Sequence, residues 1–435
     1  MEKFLEKCEE ARKYAFSMSD PIIVHHHDAD GITSGSIVIN AFKSRNKTYH
    51  SRCIKKLDDI AIDELSKEKE VIFVDLGGGN PRVNELKEVL IIDHHQTKDI
   101  TKFQINPLLF GIDGGTELSS SGTASLVFDE KEDLGVVGAI GDMQSPFQGA
   151  NRFLLEKAVR KNLIKIENDL CFYGRFSRSI LQFLLYSDNP YIPGLSYNES
   201  AVISLLSKLG IPMKDGEKWR TYSDLSLEEK RKLVSELATT LINLNQIKKA
   251  EDLIGESYVV LTQPKGTEMY EANEFSTLLN ACGRHGQGDL GISVCLGVPE
   301  AYQKAKEFLR YHRKMIRDGI EFASRNVQDF GKFYFLDARN VIDEGIIGIV
   351  CGMYLNPMSE KPIIGVSIGE HNSLKFSSRG TYKLVTKGLN LGNIMRQAAE
   401  KVKGIGGGHK IAAGASIPDN KINEFLDEAG FRFLS

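Results

Sequence analysis

The chain has 435 residues, a formal net charge of −3, and 41% hydrophobic and 26% charged residues. Single hydrophobic cores stop growing at roughly 250–300 residues, so this length predicts two or three domains. A membrane-spanning helix is excluded because no run of about 18 apolar residues occurs. The charged start M-E-K-F-L-E-K-C-E-E predicts no signal peptide and a cytoplasmic location.

Two further features of the composition bear on partners and metals. The six cysteines are dispersed without a C-x-x-C pair, which argues against a zinc finger. Between residues 361 and 416, nine Lys or Arg stand against two acids, and a second basic zone covers 304–325. These basic segments allow a polyanionic partner, although the net charge of the whole chain is close to zero.

An amphipathic helix is predicted at 2–18, and the stretch I-I-V-H-H-H-D-A-D-G-I-T-S at 22–34 follows it. An apolar strand leads here into His26, Asp28 and Asp30, which occupy alternate positions, before a helix at 33–44. Residues two apart in an extended segment point the same way, so these groups converge at the carboxyl end of a strand. Carboxylates crowded there repel one another, which favours a divalent metal. The alternative is an acidic solvated turn with an incidental histidine.

The order of strand, polar tip and helix recurs along the next 60 residues. Apolar strands at 71–74 and 90–92 are followed by Asp75 and by Asp93-His94-His95, with a helix predicted around 83–89. A strand at 48–54 and a short helix near 59–68 come between the first and second tips. This repetition is typical of a parallel doubly wound sheet, whose strand tips share one edge.

A fourth acidic tip follows the helix that begins near Ser119. In G-V-V-G-A-I-G-D-M, Asp142 ends an apolar stretch whose glycines allow close helix approach. An isolated Asp at this position is more often a cap. Because three other tips share the edge, we interpret Asp142 as a further metal ligand.

The middle of the chain gives weaker signals. Residues 150–250 are predicted to be mostly helical, with a core and connector role, and a strand at 257–262 indicates a new domain. The glycine-rich stretch C-G-R-H-G-Q-G-D is predicted to be a loop, followed by a strand G-I-S-V-C-L-G. Arg284 and His285 of this loop could contact phosphate.

A long helix is predicted at 301–325, and it carries a basic stripe. The stripe consists of Lys306, Arg310, Arg313 and Arg317, spaced as neighbours on one helix face. A solvated face is the usual meaning of such a stripe, and contact with a nucleic-acid backbone is the sharper alternative.

The last 110 residues are predicted to form an α/β domain, with strands at 362–368 and 374–378 and a helix near 391–401. They include G-I-G-G-G-H-K-I-A-A-G-A-S at 404–416. Bare backbone at Gly406, Gly407 and Gly408, with His409 beside it, could form a phosphate-binding nest. Arg379 at a strand end could add a forked guanidinium contact. A simple glycine-rich hairpin is the alternative.

Taken in order, H-x-D-A-D-G, a strand-ending Asp, D-H-H, G-x-x-G-D and G-G-G-H resemble the DHH phosphoesterase superfamily with a DHHA1-type second domain. The chain is most similar to the RecJ-like branch, and in particular to archaeal RecJ-like nucleases called GINS-associated nucleases. The resemblance extends from Pro21 to Ser416. It implies an α/β fold with a parallel doubly wound DHH core at 1–150, a helical extension at 151–250, an inserted α/β segment with a connecting helix at 251–330, and a smaller DHHA1 substrate-binding domain at 331–435.

The resemblance also implies a site with two metal ions, usually Mn²⁺, with Mg²⁺ or Co²⁺ as substitutes. One ion would be held by His26, Asp28 and Asp75, and the other by Asp30, Asp75, His94 and Asp142. His95 is expected to contact the scissile phosphate or to assist the leaving group, and Asp93 is expected to orient that loop. Arg379, the three glycines and His409 are expected to bind the terminal phosphate across a cleft between domains.

The expected activity is a metal-dependent, single-strand-specific exonuclease that releases 5′-mononucleotides from DNA or RNA, in replication or repair. Two alternatives are retained: an oligoribonuclease or small-nucleotide phosphodiesterase, and a replication-complex subunit that binds GINS. Cleavage polarity and the preference for DNA or RNA depend on the shape of the pocket, which the sequence does not give.

Overall fold

The computed structural model describes residues 1–187, 190–355, 359–369 and 373–432. The chain divides into two compact units, Met1–Lys306 and Glu307–Ser435. Within those ranges, no helix is long and apolar enough to cross a membrane. The predicted fold class, with a parallel sheet and a second α/β domain, is confirmed. The domain boundaries placed near 150, 250 and 330 stay a prediction.

A parallel sheet forms the centre of the first unit. Its strands are β1 (Ile22–His26), β2 (His50–Ile54), β3 (Glu70–Val74), β4 (Glu88–Ile92) and β5 (Phe103–Ile105). They lie in the order β2, β1, β3, β4, β5, and each neighbouring pair is parallel. β3 is buried along its whole length, which explains its continuous apolar run.

Helices cover this sheet and position the strand tips. They are α1 (Glu2–Ser17), α2 (Ala29–Lys43), α3 (Asp59–Leu65), α4 (Ser120–Phe128), α5 (Glu132–Gly141) and α6 (Gly149–Arg160). The helix predicted at 83–89 is wrong. A short 3₁₀ turn covers Pro81–Glu85, and β4 starts at Glu88, because Glu88 and Val89 pair with β3.

The segment that follows has its own small sheet and core. Strands β6 (Ile164–Leu170) and β9 (Ile254–Val260) are antiparallel partners. Between them lie α7 (Ile180–Leu185), α8 (Glu199–Lys208), the short hairpin β7 (Lys214–Asp215) with β8 (Lys218–Trp219), α9 (Leu227–Asn243) and α10 (Ile247–Glu251). A cluster that includes Phe172, Phe183 and Leu233 fills its interior. The strand predicted at 257–262 is therefore present as β9, and it pairs with β6.

Three helices complete this region: α11 (Ala272–Arg284), α12 (Gly288–Cys295) and α13 (Pro299–Asn326). The strand predicted from G-I-S-V-C-L-G is wrong, because this run belongs to α12. Periodicity cannot separate a strand from a buried helix in so short an apolar run. The helix packs closely through its glycines, since a Cβ at Gly291 would lie 3.0 Å from Ile32.

The second unit contains a mixed sheet with helices. Its strands are β10 (Gln328–Asp329), β11 (Tyr334–Asp337), β12 (Ile363–Ile368), β13 (Ser373–Arg379), β14 (Ile405–Gly408) and β15 (Ala412–Pro418). They lie in the order β10, β11, β12, β13, β15, β14, and β11 with β12 is the parallel pair. The helices are α14 (Ile347–Tyr354), α15 (Tyr382–Thr386), α16 (Leu391–Lys401) and α17 (Ile422–Arg432). Phe376, Met395 and Phe425 lie in its core.

Candidate metal centre

The loop between β1 and α2 supplies the first group of polar side chains. His26 is the last residue of β1, and Asp28 is the N-cap of α2, where its Oδ1 accepts a hydrogen bond of 3.0 Å from Gly31 N. The extended segment predicted through Asp30 is wrong, because α2 begins at Ala29 instead of near residue 33. Asp30 lies in the first turn of this helix and is fully buried. A Cβ at Gly31 would lie 2.5 Å from the carbonyl oxygen of His26, so only glycine allows this tight turn.

The tips of β3 and β4 bring the next ligands to the same edge. Asp75 follows β3 with a φ of 63°, a left-handed conformation that non-glycine residues adopt mainly where the surroundings enforce it. Its N–H donates to Ile92 O at 2.9 Å, which ties the tip of β3 to the tip of β4. Asp93, His94 and His95 follow β4 directly.

One compact group consists of His26, Asp28 and Asp75. His26 Nδ1 lies 2.9 Å from Asp28 Oδ2 and 3.2 Å from Asp75 Oδ2. These are the three residues expected to hold the first ion. Their ligand atoms all lie within 4.8 Å of one another, which suits a single metal ion.

A second group consists of Asp30, His94 and Asp142. His94 Nε2 lies 3.2 Å from Asp142 Oδ2 and 3.4 Å from Asp75 Oδ1, so Asp75 stands between the two groups. The ligand atoms of Asp75, His94 and His95 also lie within 4.8 Å of one another. The structure thus brings together all six side chains expected to bind metal.

Two buried atoms at the centre of these groups lack a hydrogen-bond partner among the described residues: Asp75 Oδ1 and His94 Nε2. A buried acceptor without a partner is costly, and a cation between the two atoms would satisfy both. The mixture of carboxylates and imidazoles fits Mn²⁺ better than Mg²⁺, which prefers oxygen ligands. The residues present therefore fit divalent metal ions.

The charges of the centre are unfavourable without a cation. Burial, reinforced by Asp75, raises the pKa of Asp30 to about 6. Burial also raises the pKa of Asp142, with further contributions from Asp30 and Asp75. Burial alone would lower the pKa of His94, but Asp75, Asp30 and Asp142 raise it well above its ordinary value. Carboxylates that repel one another in a buried site are typical of a metal centre.

Asp30 is held by the N-terminus of α4, which the sequence did not reveal. Its Oδ2 accepts from Ser120 N at 2.8 Å, and its Oδ1 accepts from Ser121 N at 3.0 Å and from the Ser121 hydroxyl. α5 approaches closely enough that a Cβ at Gly138 would lie 2.6 Å from Asp30 Oδ1. In the sequence, the S-S-S-G run indicates the start of a helix and does not indicate its contact with Asp30.

His94 is oriented by a loop that sequence reasoning did not consider. His94 Nδ1 and Gln144 Nε2 both contact Gly114 O, at 2.6 Å and 2.8 Å. A Cβ at Gly114 would overlap the carbonyl oxygen of His94, so this approach requires glycine. With Nδ1 occupied, Nε2 is the nitrogen left for a metal.

Asp93 and His95 form a pair at the rim. Asp93 accepts hydrogen bonds from Gly78 N at 2.9 Å and His94 N at 2.8 Å, and its Oδ1 lies 2.8 Å from His95 Nδ1. These bonds, led by that of His95, outweigh burial and lower the pKa of Asp93 to about 2. The His95 side chain is 56% exposed, so it reaches solvent while Asp93 fixes its orientation.

Arg284 lies beside the first group, at the end of α11. Burial lowers its pKa, and the charge of Asp28 opposes that effect. Arg284 in turn contributes to lowering the pKa of His27 to about 4, after the larger effects of burial and His26. The loop predicted at 282–289 is wrong at both ends, because residues 282–284 end α11 and residues 288–289 begin α12. Arg284 is nevertheless a cation close to Asp28.

The basic stripe lies along α13, which continues from the first unit into the second. Lys306 Nζ lies 3.9 Å from Glu268 Oε2, and Arg317 Nε lies 3.6 Å from Asp318 Oδ1. Arg310 and Arg317 are exposed, and Arg313 is half-buried. The helix is confirmed, and the role of its stripe stays a prediction.

The candidate phosphate-binding residues lie in the second unit. Gly406–Gly408 belong to the edge strand β14, so the glycine run forms a hairpin with β15 instead of a free loop. A Cβ at Gly406 would overlap Met395 O, whereas at Gly407 nothing lies within 4 Å. Arg379 ends β13, and its Nη1 donates to Ser378 O at 2.9 Å. His409 follows β14 directly and is exposed. Substrate binding by these residues stays a prediction.

Three sequence families match successive parts of the chain. The DHH family, N-terminal domain, matches residues 21–135. The DHH-CID domain matches 172–254, and the DHHA1 domain matches 331–431. The first match contains every candidate metal ligand except Asp142.

The chain is also similar to known proteins over its whole length. It is 31% identical to an uncharacterised protein of Methanocaldococcus jannaschii, over 97% of each chain. The structure of RecJ from Thermus thermophilus in complex with Mn²⁺ has a TM-score of 0.62 and 16% identity, and covers 99% of this chain and 54% of that one. CDC45 from Entamoeba histolytica has a TM-score of 0.62 and 14% identity, and covers 99% of both chains. The chain thus spans about half of the T. thermophilus RecJ, and at these identities the two structures establish a shared fold.

Proposed function

Because this chain belongs to the DHH family of phosphoesterases, in the RecJ-like branch with a DHHA1 domain, we propose that it is a metal-dependent exonuclease acting on single-stranded DNA or RNA. The products would be 5′-mononucleotides. The observation that carries the proposal is the pair of ligand groups on one sheet edge that meet at Asp75. Two neighbouring metal sites are the arrangement used for in-line displacement at a phosphodiester.

In the proposed site, His26, Asp28 and Asp75 would hold one ion, and Asp30, Asp75, His94 and Asp142 would hold the other. When bound, such ions activate a water molecule and stabilise the leaving oxygen. The chain contributes the positions of the ligands. The N–H of Ser120 donates to Asp30, and Nδ1–H of His94 donates to the carbonyl oxygen of Gly114, so both side chains are held in place.

His95 is proposed to contact the scissile phosphate or the leaving group. Asp93 lies 2.8 Å from its Nδ1 and orients the ring, so Nε2 is the nitrogen available to a substrate. The side chain is exposed at the rim, unlike the buried ligands around Asp75. Arg284, close to Asp28, is proposed to neutralise a phosphate next to the one that is cleaved.

Binding of the polymer is assigned to the basic residues outside the centre. Arg379, Gly406–Gly408 and His409 are proposed to hold the terminal phosphate, through a guanidinium group and bare backbone. The stripe on α13 is proposed to follow the backbone of a longer strand.

One experiment tests the activity and its rivals together. Single-stranded DNA and RNA oligomers, labelled at either end, are digested with Mn²⁺ or with EDTA. A ladder of mononucleotide steps that requires Mn²⁺ supports an exonuclease and gives its polarity. Cleavage of dinucleotides alone would favour the small-nucleotide phosphodiesterase, and uncut oligomers would contradict the proposal.

A replication-complex subunit that binds GINS is the second candidate, because the similarity to CDC45 extends over 99% of both chains. The two functions are compatible in one protein. Co-purification of the chain with GINS from its host, with and without an intact metal centre, distinguishes a binding role from a catalytic one. Association that survives Asp142→Asn would show that binding does not depend on catalysis.

A further inference from the structure

The C-terminal end of α11 packs directly against the loop that carries the first metal ligands. Asn280 Oδ1 accepts a hydrogen bond of 2.9 Å from Ala29 N. One turn later, a Cβ at Gly283 would overlap the carbonyl oxygen of His27. α11 therefore contacts the loop on both sides of Asp28, through the side chain of Asn280 at Ala29 and through close backbone approach of Gly283 at His27.

The bond from Ala29 meets a specific need of this loop. Ala29 is the first residue of α2, and the first N–H groups of a helix have no partner within it. Water cannot reach this one, because Ala29 is fully buried. The N-cap Asp28 does not serve it either, since its Oδ1 accepts from Gly31 N and its Oδ2 lies beside His26. Asn280 supplies the missing acceptor from 251 residues away.

The helix that carries Asn280 is anchored at its other end. Arg175 Nε donates to Glu271 Oε1 at 3.1 Å, and the Ser177 hydroxyl bonds to Glu274. Arg175, Glu271 and Glu274 are all buried. α11 thus spans from a buried polar network to the metal-binding loop, and its end cannot shift without disturbing that network.

We propose that Asn280 is a positioning residue for the metal-binding group of His26, Asp28 and Asp75. This inference rests on the proposed function, because it assumes that the group binds a metal. Without the amide oxygen, the buried N–H of Ala29 lacks a partner, and the loop must move to expose it. Asp28 moves with the loop, since it is the adjacent residue. Gly283 is required for the same reason, as any larger residue would push α11 away from His27.

Calorimetric titration of the purified full chain with Mn²⁺ tests this inference. Asn280→Ala should weaken the affinity for Mn²⁺ at one of the two sites by roughly tenfold. Loss of a residue that supports a metal ligand typically lowers metal affinity by about ten- to a hundredfold, and Asn280 acts through the backbone, so the smaller effect is expected. Asn280→Asp keeps an acceptor at the same position, so its affinity for Mn²⁺ should lie within about threefold of the wild-type affinity. Asn273→Ala, an identical change at an exposed position of α11, should have no effect.

The outcomes separate the inference from the proposed function. A wild-type chain that binds no Mn²⁺ would overturn the proposed function itself. A wild-type chain that binds Mn²⁺, with Asn280→Ala equal to it, would overturn only the positioning role. If Asn280→Ala does not fold, Asn280→Asp decides: near wild-type affinity supports the role of the acceptor, and a tenfold loss contradicts it.

Discussion

Asp142 shows, at the scale of a single residue, how stability and metal binding conflict in this centre. Its carboxyl group is mostly buried next to Asp30 and Asp75, and its pKa is raised as a result. Such a group destabilises the metal-free fold and becomes favourable when a cation is bound. Activity and stability therefore place opposite demands on the same side chain.

We predict opposite effects of Asp142→Asn with and without metal. In EDTA, the variant should be more stable than the wild type by on the order of 1 kcal/mol, because a buried repulsive charge is removed. At a Mn²⁺ concentration 100 times its Kd, the free energy of unfolding of the wild type should rise by about 2.7 kcal/mol, and the variant should show little of this increase. Urea unfolding under the two conditions measures both.

The control for this prediction is Asp133, in the first turn of α5, the helix that Asp142 follows directly. Asp133 is buried as well, but Thr262 and Leu134 N donate hydrogen bonds to it. Asp133→Asn should therefore destabilise the fold and keep the response to Mn²⁺. A destabilised Asp142→Asn with an intact Mn²⁺ response would show that Asp142 is an ordinary structural acid.

Arg379→Ala should separate substrate binding from metal binding. Loss of a charge-assisted contact to phosphate is expected to reduce kcat/KM by roughly ten- to a hundredfold, corresponding to about 1.5–3 kcal/mol. Affinity for Mn²⁺ should not change, since every candidate metal ligand lies in the other unit. Kinetics on a short oligomer and calorimetry measure the two effects. Arg396→Ala, at an exposed position of α16, is the matched control.

Among the elements, α11 is notable for a buried acidic pair at its start. Burial raises the pKa of Glu274 to about 8, and the charge of Glu271 adds to this. Glu274 is fully buried and hydrogen-bonded to Ser177, and Glu268 also acts on it. The folded protein therefore holds a proton at Glu274 that the unfolded chain releases near pH 4.5.

Stability should fall as the pH rises, because the pKa of Glu274 is higher in the folded than in the unfolded state. The contribution of this proton to stability is complete below the unfolded pKa and is lost as the pH rises to about 8. Stability should fall across this window by up to about 1.4 kcal/mol per pH unit. Glu274→Gln should flatten the decline between pH 5 and pH 8.5 in urea unfolding. Glu251→Gln, at an exposed position of α10, should leave it unchanged. Parallel curves for wild type and Glu274→Gln would refute the assignment.

For α13, the prediction concerns salt dependence. Replacing Arg310 and Arg317 by Ala should weaken binding to a long single strand. It should also reduce the slope of log K against log salt by roughly 1.4, at about 0.7 per phosphate contact for single strands. Binding of a dinucleotide should barely change. Fluorescence anisotropy over a salt series measures the slope, with Arg325→Ala, which pairs with Glu321 on the same helix, as the control. An unaltered slope would identify the stripe as a solvated face.

At the scale of the whole molecule, the candidate ligands are confined to one of the two units. Hydrogen exchange should therefore slow on addition of Mn²⁺ at the loops around residues 26–31, 75–78, 93–95 and 142. Residues 307–432 should exchange at the same rate with Mn²⁺ or EDTA, because a bound ion stabilises the structure that holds it. Protection in the second unit alone would contradict the assigned centre.

The parallel core and the positions of its ligands were predictable from sequence because both leave local patterns. A buried parallel strand is a continuous apolar run, and β1, β3 and β4 are each followed directly by polar residues. Since parallel strands end at the same edge, the tips had to converge. His26, Asp28, Asp75 and His94 could therefore be grouped without knowing the fold.

Elements whose residues have no such pattern were decided by tertiary packing. Residues 288–295 form the helix α12, in which Gly288 lies against Cys53 and Gly291 against Ile32. Residues 88–89 are strand because they pair with β3. The residues that support the metal ligands were likewise not predictable from local pattern. Ser121, Gly114 and Asn280 are ordinary residue types far along the chain, and only the folded structure brings them to Asp30, His94 and Ala29. The types of ligand could be recognised in the sequence, because their chemistry and their spacing at the strand ends are local. What holds these ligands in place depends on the fold, because hydrogen bonds between distant segments leave no periodic trace.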